Sequence, residues 1–149
     1  MFSALTGLRR SDIQKLIWGE VQHVEGSGYL IRFMQKKTGG SETLPITEQA
    51  FNLLGERKQS TDPVFTLIQA TNQRDNRYLT KWVLDAGISK KITFHCFRHT
   101  FATLQLSMGT DIYTVSKMLG HKDLNTTQIY AKIIDETKRT ASNRIKLEM

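Results

Sequence analysis

Four short patterns follow one another along the 149-residue chain: Thr6-Gly7-Leu8-Arg9, then Lys37-Thr38-Gly39, then His95-Cys96-Phe97-Arg98-His99, then Leu119-Gly120-His121, with Tyr130 nine residues beyond His121. Between them they offer several cations and one phenol. Planar guanidinium groups meet an oxyanion with paired hydrogen bonds, so Arg9 and Arg98 suit negative charge spread over the oxygens of a phosphate. A tyrosine has an ordinary pKa of about 10 and needs nearby positive charge or a base to become a nucleophile at neutral pH. Arg9, Arg98, His95 and His121 can supply both, and an ammonium such as that of Lys37 can give a proton to a leaving group. His95 and His99 stand four apart, a spacing also used for zinc. However, no Glu follows His95, Arg98 would intrude on the cation, and no third ligand is evident. No carboxylate cluster suits magnesium either, so the expected chemistry uses no metal and no cofactor.

These residues need elements to hold them. Met1 is followed at once by Phe2, Ala4 and Leu5, an uncapped apolar run that reads as the tail of an interrupted helix and hence a truncated chain. Ser11 and Asp12 suit the cap of a short helix with Ile13, Leu16 and Ile17 on one face, which places Arg9 just before a helix start. There the helix dipole disfavours a cation unless an anion is bound as well. Tyr29, Ile31 and Phe33 alternate with Leu30, Arg32 and Met34, as in a strand, and Thr38-Gly39-Gly40 supplies a turn before a second strand over Thr43 to Ile46. The reading is a β-hairpin tipped by Lys36 and Lys37, with Val21 to Glu25 as a third strand. Thr47 then caps another helix. The remaining apolar spacing predicts helices through Leu79, Trp82, Val83 and Ala86; through Phe97, Phe101, Leu104 and Met108; through Ile112, Val115 and Leu119; and through Ile129 and Ile133. Gly87, Gly109 and Gly120 end the first three.

Composition narrows the setting. Apolar residues make up 39% and charged residues 23%, with two prolines and no repeat, which favours an ordinary globular domain over a disordered chain. No apolar run approaches the roughly 18 residues of a membrane span, and no signal peptide opens the chain. The one cysteine, Cys96, cannot form an internal disulfide, which fits a reducing compartment, the cytoplasm. A net charge of +7 favours a polyanionic partner, with a merely basic soluble surface as the bland alternative.

Taken together, the four patterns and Tyr130 resemble the tyrosine recombinase and integrase family, and look closest to integrases of mobile elements. Each pattern alone is weak; His-x-x-Arg, then Leu-Gly-His, then a tyrosine nine residues later is specific. The resemblance spans residues 1–149 as a catalytic domain, with a tail from about residue 135, and the family's amino-terminal DNA-clamping domain has no counterpart in it. It implies an α+β, mainly α fold with helices around a small antiparallel sheet. The implied function is site-specific DNA recombination and integration through a 3′-phosphotyrosyl intermediate. Arg9 and Arg98 match the phosphate-binding arginines, Lys37 the hairpin lysine and His95 the histidine of the His-x-x-Arg box. His121 matches the His-or-Trp position, and Tyr130 the nucleophile. The implied partners are double-stranded DNA, at the nucleoid, and three further copies of the full-length protein on that DNA. A carboxy-terminal segment around Ile145 and Leu147 would dock on a neighbour.

Blander readings stand beside these. Arg98 could be a buried structural arginine beside Phe97 and Phe101, and Lys37 a solubilising lysine with Lys36 as the true donor. His99 reads better as a core or supporting histidine than as a catalytic one. His121 could be a helix-terminal cation, and Tyr130 a core aromatic between Ile129 and Ile133. The rival functions are DNA relaxation by a type IB topoisomerase and a non-catalytic DNA-binding module.

Overall fold

The computed structural model describes residues 1–34, 39–66 and 72–142. The chain divides into two compact units, Met1–Arg98 and His99–Met149.

In the first unit, α1 (Phe2–Thr6) ends on Gly7, whose φ of 68° is open to glycine and strained for most other residues. Side chains lock this turn. Ser3 Oγ donates to the Leu8 carbonyl and Thr6 Oγ1 to the Phe2 carbonyl, both at 2.9 Å, while the Leu8 N–H donates to Thr6 Oγ1 at 3.4 Å. Helix α2 (Arg10–Lys15) follows, but the expected cap differs. Arg9 is the N-cap, in extended conformation and without a side-chain cap bond, and its carbonyl accepts from the N–H groups of Asp12 and Ile13. Ser11 and Asp12 lie inside the first turn, two and three residues past the cap position. Ile13 and Leu16 are buried as their spacing predicts.

A 3₁₀ turn (Trp18–Glu20) leads into three antiparallel strands, β1 (Val21–Val24), β2 (Gly28–Met34) and β3 (Ser41–Ile46), with β2 central. The register sets Ile31 opposite Val21 on one side and Leu44 on the other, so three buried side chains line up across the sheet. Arg32 and Met34 turn outward, and Ile31 and Phe33 inward, following the alternation. Leu30, assigned by alternation to the outer set, is buried as well. The tip bearing Lys36 and Lys37 lies outside the described residues. Thr47 caps α3 (Glu48–Asn52) as expected, its hydroxyl accepting the Ala50 N–H at 3.2 Å. Trp18 is 1% exposed, and the Arg57 guanidinium lies 6.0 Å from its ring centre and donates to the Trp18 and Val21 carbonyls. Helix α4 (Asn72–Asp85) buries Val83 and turns Trp82 outward, against the face read from spacing.

Helix α5 (Phe94–Ser107) begins in the first unit and ends in the second. The second unit adds α6 (Ile112–Met118) and α7 (Asn125–Ser142). Asp111 caps α6 by accepting the Thr114 N–H at 2.9 Å. Phe101, Ala102, Val115, Leu119 and Tyr130 form this unit's core. Leu104, Met108 and Ile129, predicted to face inward, are exposed. The stretch from Asp135 is helical as far as Ser142; Ile145 and Leu147 lie outside the described residues. The class is the expected one, mainly helical with one small antiparallel sheet.

Candidate active site

The first unit holds three of the expected residues. Arg98 is 3% exposed, and its Nη1 donates to the Gly7 carbonyl at 2.6 Å. A buried guanidinium needs such partners, because leaving its N–H groups unpaired away from water is costly. The accepting carbonyl belongs to the left-handed residue that ends α1, so the backbone of the Thr6-Gly7-Leu8-Arg9 turn fixes where Arg98 sits. Arg9 lies two residues further on, with its Nη1 3.9 Å from Oδ2 of the buried Asp12. Arginines 89 residues apart in sequence are thus gathered on one turn. Both keep a polar partner there, and both are the residue type suited to an oxyanion.

His95 is exposed, one helical turn before Arg98 on α5, where residues three apart are neighbours on the helix surface. Between them, Cys96 closes the first turn. Its sulfur accepts the Thr93 N–H at 3.4 Å and lies 3.5 Å from the Thr93 hydroxyl, and these hydrogen bonds hold its thiol below the ordinary value. Lys37 lies outside the described residues.

The second unit holds the other two. Gly120, at φ 60°, ends α6, and the His121 N–H donates to the Ser116 carbonyl at 3.0 Å. The ring is anchored as well: Nδ1 lies 2.9 Å from the hydroxyl of Thr127, which is fully buried on the first turns of α7. Tyr130 follows Thr127 by three residues on the same helix. Its ring, 2% exposed, packs with Phe101, Val115 and Leu119, and the His99 ring lies 5.2 Å from it at 59°. The Tyr130 ring thus packs into this unit's core, and its phenol is the one nucleophile type among the candidate residues.

Sequence reading missed three contributors: the Gly7 carbonyl, Asp12 and Thr127. Gly7 was visible within its pattern, but nothing in the sequence shows that its carbonyl receives an arginine 91 residues away. Asp12 read as a cap. Thr127, within Asn125-Thr126-Thr127, looks like any polar helix start. Among the described residues no group of three or more His, Cys, Asp or Glu could hold a metal ion, and no helix is long and apolar enough to cross a membrane.

The family model described as the phage integrase family matches residues 1–137, and the chain belongs to that family. It is 34% identical over 132 residues to tyrosine recombinase XerA of Saccharolobus solfataricus, an alignment covering 87% of this chain and 43% of that protein. It is also 34% identical over 155 residues to tyrosine recombinase XerD of Vibrio cholerae, covering 93% and 49%. Among solved structures it resembles a crystal structure of XerA recombinase, with a TM-score of 0.72 and 27% identity, covering 98% of this chain and 54% of that one. The chain spans less than half the length of the two sequence relatives.

Proposed function

We propose that this chain is the catalytic part of a tyrosine site-specific recombinase, which cuts and rejoins double-stranded DNA through a covalent bond to Tyr130. The observation that carries the reading is the tie between His121 and the helix of Tyr130: the Leu-Gly-His pattern, joined to the tyrosine only by spacing in the sequence, is bonded through His121 to the Thr127 hydroxyl, three residues before Tyr130 on the same helix. Family membership and the two relatives named tyrosine recombinases support the same reading.

In this mechanism the Tyr130 oxygen attacks the scissile phosphorus, a new O–P bond forms, and the P–O5′ bond breaks. The products are a 3′-phosphotyrosyl link and a free 5′-hydroxyl. Arg9 and Arg98 stabilise the charge on the non-bridging oxygens, and His95 and His121 contribute further hydrogen bonds or positive charge. Lys37 protonates the departing 5′ oxygen. Attack by a 5′-hydroxyl from another strand reverses the chemistry and releases Tyr130. No metal or other cofactor takes part in these steps. In the full-length protein, four copies assemble on two DNA sites at the nucleoid.

The test uses a pool of nicked duplexes with random sequence around the nick, whose short cleaved strand diffuses away and traps the covalent complex. The unaltered chain should retain DNA through denaturing extraction, and Tyr130→Phe, which lacks only the phenolic oxygen, should retain none. Equal retention by the two, or none by either, would overturn the proposal.

A further inference from the structure

We infer that Thr127 is a positioning residue that sets the proton of His121 on Nε2 and makes this histidine a hydrogen-bond donor at the site rather than a base. The inference rests on the recombinase reading for its functional meaning, but its structural content stands alone.

Thr127 is 0% exposed, and among the described residues its Oγ1 has one hydrogen-bond partner, His121 Nδ1 at 2.9 Å. A hydroxyl has one proton to give and lone pairs to receive. If Nδ1 carried the ring proton, it would donate to Oγ1, and the threonine's own proton would be left buried and unpaired. A buried donor without an acceptor is costly, whereas an oxygen with a spare lone pair is tolerated far better. The favoured arrangement therefore has the Thr127 O–H donating to a bare Nδ1. In neutral imidazole one nitrogen is the donor and the other the acceptor, and the partner of one decides the state of its opposite. With Nδ1 accepting, the proton resides on Nε2.

The backbone around the pair holds this geometry. His121 is anchored through its N–H to the Ser116 carbonyl, directly after the left-handed Gly120. Thr127 is anchored through its N–H to the Leu124 carbonyl at 2.8 Å, in the first turns of α7. Neither end of the hydrogen bond is a loose side chain. For the chemistry, a neutral His121 with hydrogen on Nε2 can donate to a phosphate oxygen without first becoming an imidazolium. It has no lone pair on Nε2 with which to take the proton of Tyr130, so the base lies elsewhere in the set.

The experiment reads the ring directly. Long-range proton–nitrogen correlation spectra of ¹⁵N-histidine-labelled full chain would be recorded above the ordinary histidine pKa of about 6.5. The resonance of His121 is assigned by its loss in His121→Gln. The unaltered chain and Thr127→Ser should show a protonated Nε2 and a bare Nδ1, whereas Thr127→Val, which keeps shape and loses the hydroxyl, should lose that preference. On the nicked-duplex pool, Thr127→Val should form covalent adduct about 10- to 100-fold more slowly, by analogy with the loss when the partner that orients a metal-ligating histidine is removed, and Thr127→Ser should recover most of the rate. A protonated Nδ1 in the unaltered chain would overturn the inference, as would an unchanged tautomer in Thr127→Val. Should Thr127→Val fail to fold, the spectra of the unaltered chain and Thr127→Ser still decide. Absence of adduct from the unaltered chain would instead overturn the recombinase reading, and the spectra would test the tautomer regardless.

Discussion

Gly7 does two jobs with one backbone conformation: it ends α1 in a left-handed turn, and its carbonyl receives the buried Arg98. A Cβ at φ 68° costs about 1–2 kcal/mol, and relaxing that strain rotates the carbonyl away from the guanidinium. Gly7→Ala should therefore lower thermal stability by about that amount and slow adduct formation more than the stability loss alone explains. Gly7→Asn, whose side chain tolerates this backbone region, should be milder in both. Melting curves and trapping rates check the pair; equal behaviour of Ala and Asn, or full activity in Gly7→Ala, would separate the turn from the arginine. The same residue marks a limit of reading sequence. Arg9, Arg98, His121 and Tyr130 stand out as candidates because their types are rare in such an order, but the partners of the first three are a carboxylate, a carbonyl and a hydroxyl of kinds that occur throughout the chain. A backbone carbonyl has no sequence signature, and Thr127 differs in no way from Thr126 until the fold buries it.

Among the elements, caps carry testable charge. Asp111 caps α6, and its carboxyl lies below the ordinary carboxylate range, chiefly because it accepts hydrogen bonds from the Thr114 side chain and backbone. A folded-state pKa lowered in this way contributes stability above the unfolded value of about 3.9, and that contribution is lost as pH falls through the folded value. Asp111→Asn keeps a good cap without the charge. The unaltered chain should therefore melt above Asp111→Asn at neutral pH, and the gap should close in acid; a gap that stays constant with pH would assign the cap no charge effect. The strands and the Thr47 cap were legible, since alternation and a hydroxyl before a helix are local signals. The orientation of Trp82, Leu104, Met108 and Ile129 was not. Helical spacing marks an apolar stripe, and which edge of that stripe meets a neighbour depends on tertiary packing that the spacing does not contain. The start of α2 was misread for a similar reason, because Ser11 and Asp12 have good capping chemistry but Arg9 has the extended backbone that a cap requires.

At the scale of the molecule, a net charge of +7 on 149 residues suits the proposed DNA partner. If phosphate contacts dominate, affinity for random-sequence duplex should fall steeply and linearly with log salt concentration. Titration by fluorescence anisotropy at several salt concentrations measures this, and a flat line would shift the weight from phosphate contacts to other contacts. The +7 balance was legible from composition alone; the division into Met1–Arg98 and His99–Met149 was not, because no proline- or glycine-rich linker marks it and the boundary falls inside α5. That division gives the burial of Trp18 an optical consequence. Both tryptophans of the chain lie in the first unit, Trp18 at 1% exposure and Trp82 at 62%. Iodide in solution should darken Trp82 and spare Trp18. In a Trp82→Phe background the remaining emission becomes a blue-shifted lamp lit only from inside the first unit, while circular dichroism registers the helices of both. Superimposed denaturation curves from the two signals would mean that the units melt as one, and displaced curves would give each its own stability.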